Sequence, residues 1–140
     1  MGKPAPTTDA AHEGADRERI HAHLLELIRS VDGIDTAVVA SVDGFVQAQV
    51  VRQAGAGERL AAMTSSMLAL AGAIGRELAL GELQVLMVEA SEGKVLMLSI
   101  PVPGRALLLM AACTRRSVIG NALWSARKCG QQILSEFGGA

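Results

Sequence analysis

Sixteen consecutive residues without a charge, Leu60 to Gly75, lie between Arg59 and Arg76 and limit what this chain can become. The segment is shorter than the roughly 20 apolar residues of a bilayer span, and it carries Thr64, Ser65 and Ser66. It holds no Pro, so one helix can run from about Glu58 to Leu80. At helical spacing Leu60, Met63, Met67, Leu70, Ile74 and Leu78 form a ridge of large side chains. About 100° round come Ala61, Ser65, Leu68, Gly72, Gly75 and Ala79, and beside these Ala62, Ser66, Ala69, Ala73 and Arg76. A helix lying on one sheet needs a single apolar stripe and turns its charges the other way. This one is apolar on several sides, so something beyond its own sheet has to cover it. Gly72 and Gly75 each cost roughly 1 kcal/mol against Ala inside a helix, which suits a backbone that another element approaches closely. With aromatic residues scarce, the Met-rich ridge is expected to fill core.

On either side of this helix the period of the sequence is two. Ala37 to Val42 and Phe45 to Val51 are apolar runs rich in valine, joined by Asp43 and Gly44, a strong hairpin signal. A two-residue turn pairs Val42 with Phe45, Ser41 with Val46, Val39 with Ala48 and Ala37 with Val50. Beyond Gly81 three further strands follow, Leu83–Ala90, Lys94–Ile100 and Arg105–Cys113, separated by turns at Ser91–Gly93 and Pro101–Gly104. A first helix opens at Asp16 as N-cap, buries Ile20, Leu24, Leu27, Ile28 and Val31, and stops at Gly33. A last helix, capped by Thr114 or Ser117, puts Ile119, Leu123, Ala126, Gly130 and Ile133 on one face, with Trp124 adjoining it. The order α-β-β-α-β-β-β-α predicts an α+β domain: one five-stranded, mostly antiparallel sheet with helices on both faces. Residues 1–15, rich in Pro, Ala, Thr and Gly, are expected to be a disordered tail, and 16–137 the folded domain.

The 140 residues suffice for one domain that buries about two thirds of its surface. Charge argues against polyanionic partners: 13 basic and 14 acidic residues leave a net −1. Phe45, Trp124 and Phe137 are the whole aromatic complement, too few for a base-stacking platform. Neither nucleic acid nor membrane insertion is therefore expected. The first residues lack the apolar stretch of a secretory signal, which points to the cytoplasm. Cys113 and Cys129 match no metal or redox spacing and read as free, packed thiols. His21 and His23, two apart on a helix, point in different directions and cannot share a metal. No phosphate-binding loop occurs and no nucleophile elbow surrounds Ser65, Ser66 or Ser117, so neither catalytic, metal nor cofactor-binding residues are assigned.

Several local patterns together resemble the Roadblock family, which includes dynein light chains and bacterial MglB-like regulators and works with Ras-like GTPases. They are Leu24 to Leu27 leading to Val31–Asp32–Gly33–Ile34, the run Ala37 to Val46, the small-residue middle helix, Val95 to Leu98 with its following turn, and Ser117–Val118–Ile119–Gly120. The similarity spans roughly residues 17–137. It implies a homodimer whose middle helices lie against each other while the third strands join edge to edge. Leu83 to Val88 also has no Lys or Pro to blunt an edge, and pairing with its twin removes that hazard. Ser65, Leu68, Gly72, Gly75, Leu83, Val85 and Met87 are then the dimer-interface residues, and Ala62, Ser66, Ala69, Ala73 and Arg76 face a GTPase. In the competing arrangement the strand lies inside the sheet and the glycines admit the chain's own side chains. By the resemblance the chain is a non-catalytic regulator or scaffold of a small GTPase. A nucleotide-independent adaptor and a small-molecule sensor are the alternatives.

Overall fold

The computed structural model describes residues 8–138. The elements run α1 (Thr8–Ser30), β1 (Ile34–Ser41), β2 (Val46–Val50), α2 (Ala56–Glu77), β3 (Leu86–Ala90), β4 (Gly93–Ile100), β5 (Leu107–Thr114) and α3 (Ile119–Glu136). All strand pairs are antiparallel in a single sheet of order β2-β1-β5-β4-β3. The expected α+β architecture is what the chain adopts.

The central strand β5 explains the layering. Leu107 to Ala111 are buried without a break because both faces of this strand are covered. Leu107, Leu109 and Ala111 join Ile20, Leu24 and Leu27 of α1 and Ala122, Ala126 and Ile133 of α3 in the larger core. Leu108 and Met110 point the other way and, with Val38, Ala40 and Met97, meet Ala61 and Leu68 of α2 in a smaller core. Two helices thus close one face and a single helix closes the other.

Three expectations need correction. Helix α1 starts at Thr8, so residues 8–15, read as tail, are helical; Ala10, Ala11, Glu13 and Ala15 favour helix and no Pro lies between Pro6 and Ser30. The remainder of the expected tail, 1–7, lies outside the described residues. Asp16 is consequently no cap: its carboxylate instead accepts from Arg105 Nη1 at 3.0 Å. The hairpin keeps Ala37 opposite Val50 and Val39 opposite Ala48, but Ala40 faces Val46, with a register shift after Val39. The turn is therefore a residue longer than two: Ser41 N–H donates to Phe45 O at 2.8 Å, and Gly44 N–H to Ser41 O at 2.9 Å. Only Gly44 takes positive φ there, at 91°, as in a type I turn with a bulge, whereas a two-residue turn needs it at Asp43 too. Helix α3 begins after Val118 with no side-chain cap, and Trp124 points outward beside Lys128. Ser117 Oγ donates instead to Asp32 O at 2.8 Å.

That last bond belongs to a knot holding the α1–β1 and β5–α3 connections together. Thr114 N–H donates to Gly33 O at 2.9 Å, and Gly33 sits at φ 94°. A Cβ built there lies 2.3 Å from Ser117 Oγ and 2.9 Å from its backbone N. Gly33→Ala is expected to destabilise the fold by about 2 kcal/mol or more, read as a lower urea midpoint.

Candidate functional site: the middle helix and the free sheet edge

Helix α2 buries a narrow stripe against the sheet: Gly57, Ala61, Thr64 and Leu68. These residues are mostly small because Met97, Leu108 and Met110 rise from the sheet and already fill the space beneath. The ridge of large residues is consequently not core, contrary to expectation. Met63, Leu70, Ile74 and Leu78 face solvent, Leu70 with 67% of its surface exposed, and Met67 and Leu80 are exposed with them. Only Leu60 is drawn partly into the smaller core. Such a contiguous apolar band is the feature that marks interaction surfaces on soluble proteins.

The expected interface residues divide. Leu68 is 6% exposed and spends its side chain on the chain's own sheet. Ser65 Oγ donates to Val42 O, tying α2 to the β1–β2 turn. Gly72 and Gly75 are half-buried; a Cβ on the first meets Arg76 Nη1 and on the second Gly81 O, each at 3.4 Å. Leu83 packs at the margin of the smaller core, Val85 is half-buried, and Met87 is exposed on β3. The ladder of β3 starts at Leu86 rather than Leu83.

Strand β3 is an edge. It pairs with β4 alone, from Leu86 opposite Met97 to Ala90 opposite Gly93. The arrangement that puts this strand inside the chain's own sheet is thereby overturned. At the opposite edge, β2 is protected. The bulge interrupts its register, and Gln47 Nε2 folds back onto the Phe45 and Val46 carbonyls at 3.2 and 3.4 Å. Arg105 Nη2 donates to Gln47 Oε1 at 3.3 Å. Nothing comparable is built on β3, whose one charge is Glu89.

Ala62, Ser66, Ala69, Ala73 and Arg76 all remain exposed. They lie on the flank of α2 nearest the β1–β2 turn, where Gly44 comes so close that a Cβ on it would stand 3.3 Å from Ala62 Cα. Val42 and Phe45 are exposed at the same turn, an apolar extension of the flank missed in the sequence because a shorter turn pairs them with each other. Arg76, Gly72 and Leu68 line one wall of an open groove of about 720 Å³ completed by Ala79, Gly81, Glu82, Leu83 and Ser99. No group of three or more His, Cys, Asp or Glu able to hold a metal occurs among the described residues. His21 is exposed on α1, whereas His23 Nε2 contacts the Glu136 carboxylate of α3 on the far side of the sheet. No helix among the described residues is long and apolar enough to cross a membrane.

The family model of the Roadblock/LC7 domain matches residues 21–110, more than half of the chain. The chain belongs to the Roadblock/LC7 family. No curated protein matches it in sequence. Among solved structures it is similar to the Roadblock/LC7 domain from Streptomyces avermitilis, with 16% identity and TM-score 0.73 over 83% of this chain and 95% of that one. Myxococcus xanthus MglB gives 17% identity and TM-score 0.75, covering 85% and 94%. The gliding protein MglB from Thermus thermophilus gives 17% and 0.76, covering 89% and 92%. At these identities the likeness shows the Roadblock/LC7 fold.

The thiols of this Roadblock/LC7 chain are free and buried. Burial pushes the Cys129 thiol up to about 12; at Cys113 burial also raises the pKa, against a lowering by Lys94. The folded Cys129 keeps its proton while the unfolded thiol ionises near 9.0. Its contribution to stability is complete below that pH and disappears as pH climbs toward 12. Urea unfolding at stepped alkaline pH should therefore show stability falling across this window. Cys129→Ala should flatten the fall by up to about 1.4 kcal/mol per pH unit.

Proposed function

We propose that this chain is a non-catalytic homodimeric regulator that binds a small Ras-like GTPase and biases its nucleotide state. One observation carries the reading: an exposed ridge of large apolar residues on α2 accompanies an edge strand with free backbone groups. A second copy satisfies both at once. Two β3 strands pair antiparallel about a two-fold axis, continuing the sheet, and the Met63–Leu78 ridges of the two α2 helices cover each other. Gly72, Gly75, Leu83, Val85 and Met87 lie in or beside this contact, while Ser65 and Leu68 support it from within each protomer. The likeness to MglB structures and the family's association with Ras-like GTPases support the rest. Ala62, Ser66, Ala69, Ala73 and Arg76, with Val42 and Phe45 beside them, stay open for the GTPase. The dimer acts by preferring one nucleotide state, since a partner shifts an equilibrium only through differential affinity. Its residues supply no hydrolytic chemistry, and its place is the cytoplasm, where such GTPases work.

Light scattering on the eluting protein should report a dimer, and Leu70→Glu with Ile74→Glu should give a folded monomer, since both positions are exposed in the protomer. A wild-type monomer at high concentration overturns the dimer. For the partner, binding to a Ras-like GTPase of the same genome should differ between its GTP-analogue and GDP forms. Ala69→Arg with Ala73→Arg should weaken that binding roughly tenfold or more while leaving the dimer intact. Equal binding to both nucleotide forms returns the reading to an adaptor.

A further inference from the structure

The sulfur atoms of the described residues are sorted by position. Met97 and Met110 are 5% and 1% exposed beneath α2, and Cys113 and Cys129 are buried. Met63, Met67 and Met87 are open to solvent, Met63 at 53% and Met87 at 40%. Every exposed sulfur-bearing residue among the described residues therefore lies either on the apolar ridge of α2 or on the edge strand. Met63 and Met67 stand four apart, one turn of helix, so both thioethers sit on the same stretch of ridge. The thiols, normally the faster targets of peroxide, are withdrawn by burial and held protonated, which leaves the thioethers as the accessible reductants.

We infer that this methionine set is a redox switch on self-association: a hydroperoxide oxidises Met63, Met67 and Met87 in the free protomer, and the oxidised chain no longer pairs. The inference rests on the dimer proposed above. In each step the thioether sulfur attacks the distal peroxide oxygen and the O–O bond breaks. Sulfur loses two electrons and gains one oxygen atom. The peroxide is reduced by the same two electrons, leaving as water, or as an alcohol from an alkyl hydroperoxide. The sulfoxide is a strong acceptor placed where an apolar contact offers no donor, so its burial costs the solvation that the thioether never had. Leu70, Ile74 and Leu78 keep the ridge apolar, so the modification alters pairing and not the fold of the protomer. Exchange between dimer and free protomer sets the speed of the response, since the sulfurs are reachable only when the pair opens.

The test uses the full chain and hydrogen peroxide, with peptide mass mapping and light scattering on the same samples. Met63, Met67 and Met87 should gain oxygen before Met97 and Met110, and the self-dissociation constant should rise roughly 100-fold. Methionine sulfoxide reductases should restore pairing. In a variant with Met63→Leu, Met67→Leu and Met87→Leu, volume-conserving changes, the self-dissociation constant measured before peroxide should be the same after it. Oxidation of all three positions without loss of pairing overturns the switch, as does equal dissociation of the Leu variant. A wild-type sample that is monomeric before peroxide is added removes the dimer reading and the switch with it, an outcome distinct from the other two. Circular dichroism of the oxidised protein should match the untreated spectrum; loss of secondary structure would mean general damage and overturn the claim.

Discussion

The narrow contact between α2 and the sheet governs the rest of this molecule. A helix has room for one stripe against its support, and here that stripe is Ala61, Thr64 and Leu68 because the sheet itself supplies the bulk from Met97, Leu108 and Met110. The large side chains of the helix are left on its outer side by the same packing, not by any surplus of hydrophobicity. Had the sheet carried small residues there, the helix could have turned its ridge inward and the chain would have had a finished surface.

The two faces of the sheet accordingly differ in kind. On the side of α1 and α3, charged groups knit the edges of the layer. Arg19 and His23 meet Glu136, and Arg105 meets Asp16 while its guanidinium stands 5.9 Å from the centre of the Phe137 ring. On the side of α2, no charged residue occurs between Arg59 and Arg76. Surface ion pairs contribute little stability individually. They do show which face has been made compatible with water and which has not.

Much of this was legible in the sequence, and the failures have definable causes. Element order, the α+β class, the antiparallel sheet and the burial of both cysteines follow from periodicity, turn residues and the unbroken apolar run of β5. The hairpin was right at Val39 and Ala48 and wrong at its tip, because Asp43 and Gly44 suit either a two-residue turn or a longer one closed by a bulge. The N-terminus of α1 was hidden by Pro4, Pro6 and Gly14 on either side of residues that favour helix. For α2 the failure was instructive: a helical wheel ranks faces by size and polarity, but which face goes inward depends on the volume already occupied by Met97 and Met110, whose orientation comes from β4 and β5. The edge position of β3 could be suspected from its lack of Lys and Pro, yet only the strand order decides it.

The knot of Gly33, Thr114 and Ser117 bears on how the chain is made. It joins the end of the first helix to the entrance of the last, and β1 pairs with β5 from Ile34 opposite Cys113 to Ser41 opposite Leu107. On the ribosome α1 is made well before β5 and α3, which complete the core around Leu24 and Leu27. Until then the nascent chain can close the local β1–β2 hairpin with α1 and α2 against it, and both cores wait for β4 and β5, which supply Leu96, Met97, Leu109 and Met110. Translation thus leaves both faces of the sheet unfinished until its central strand has been made.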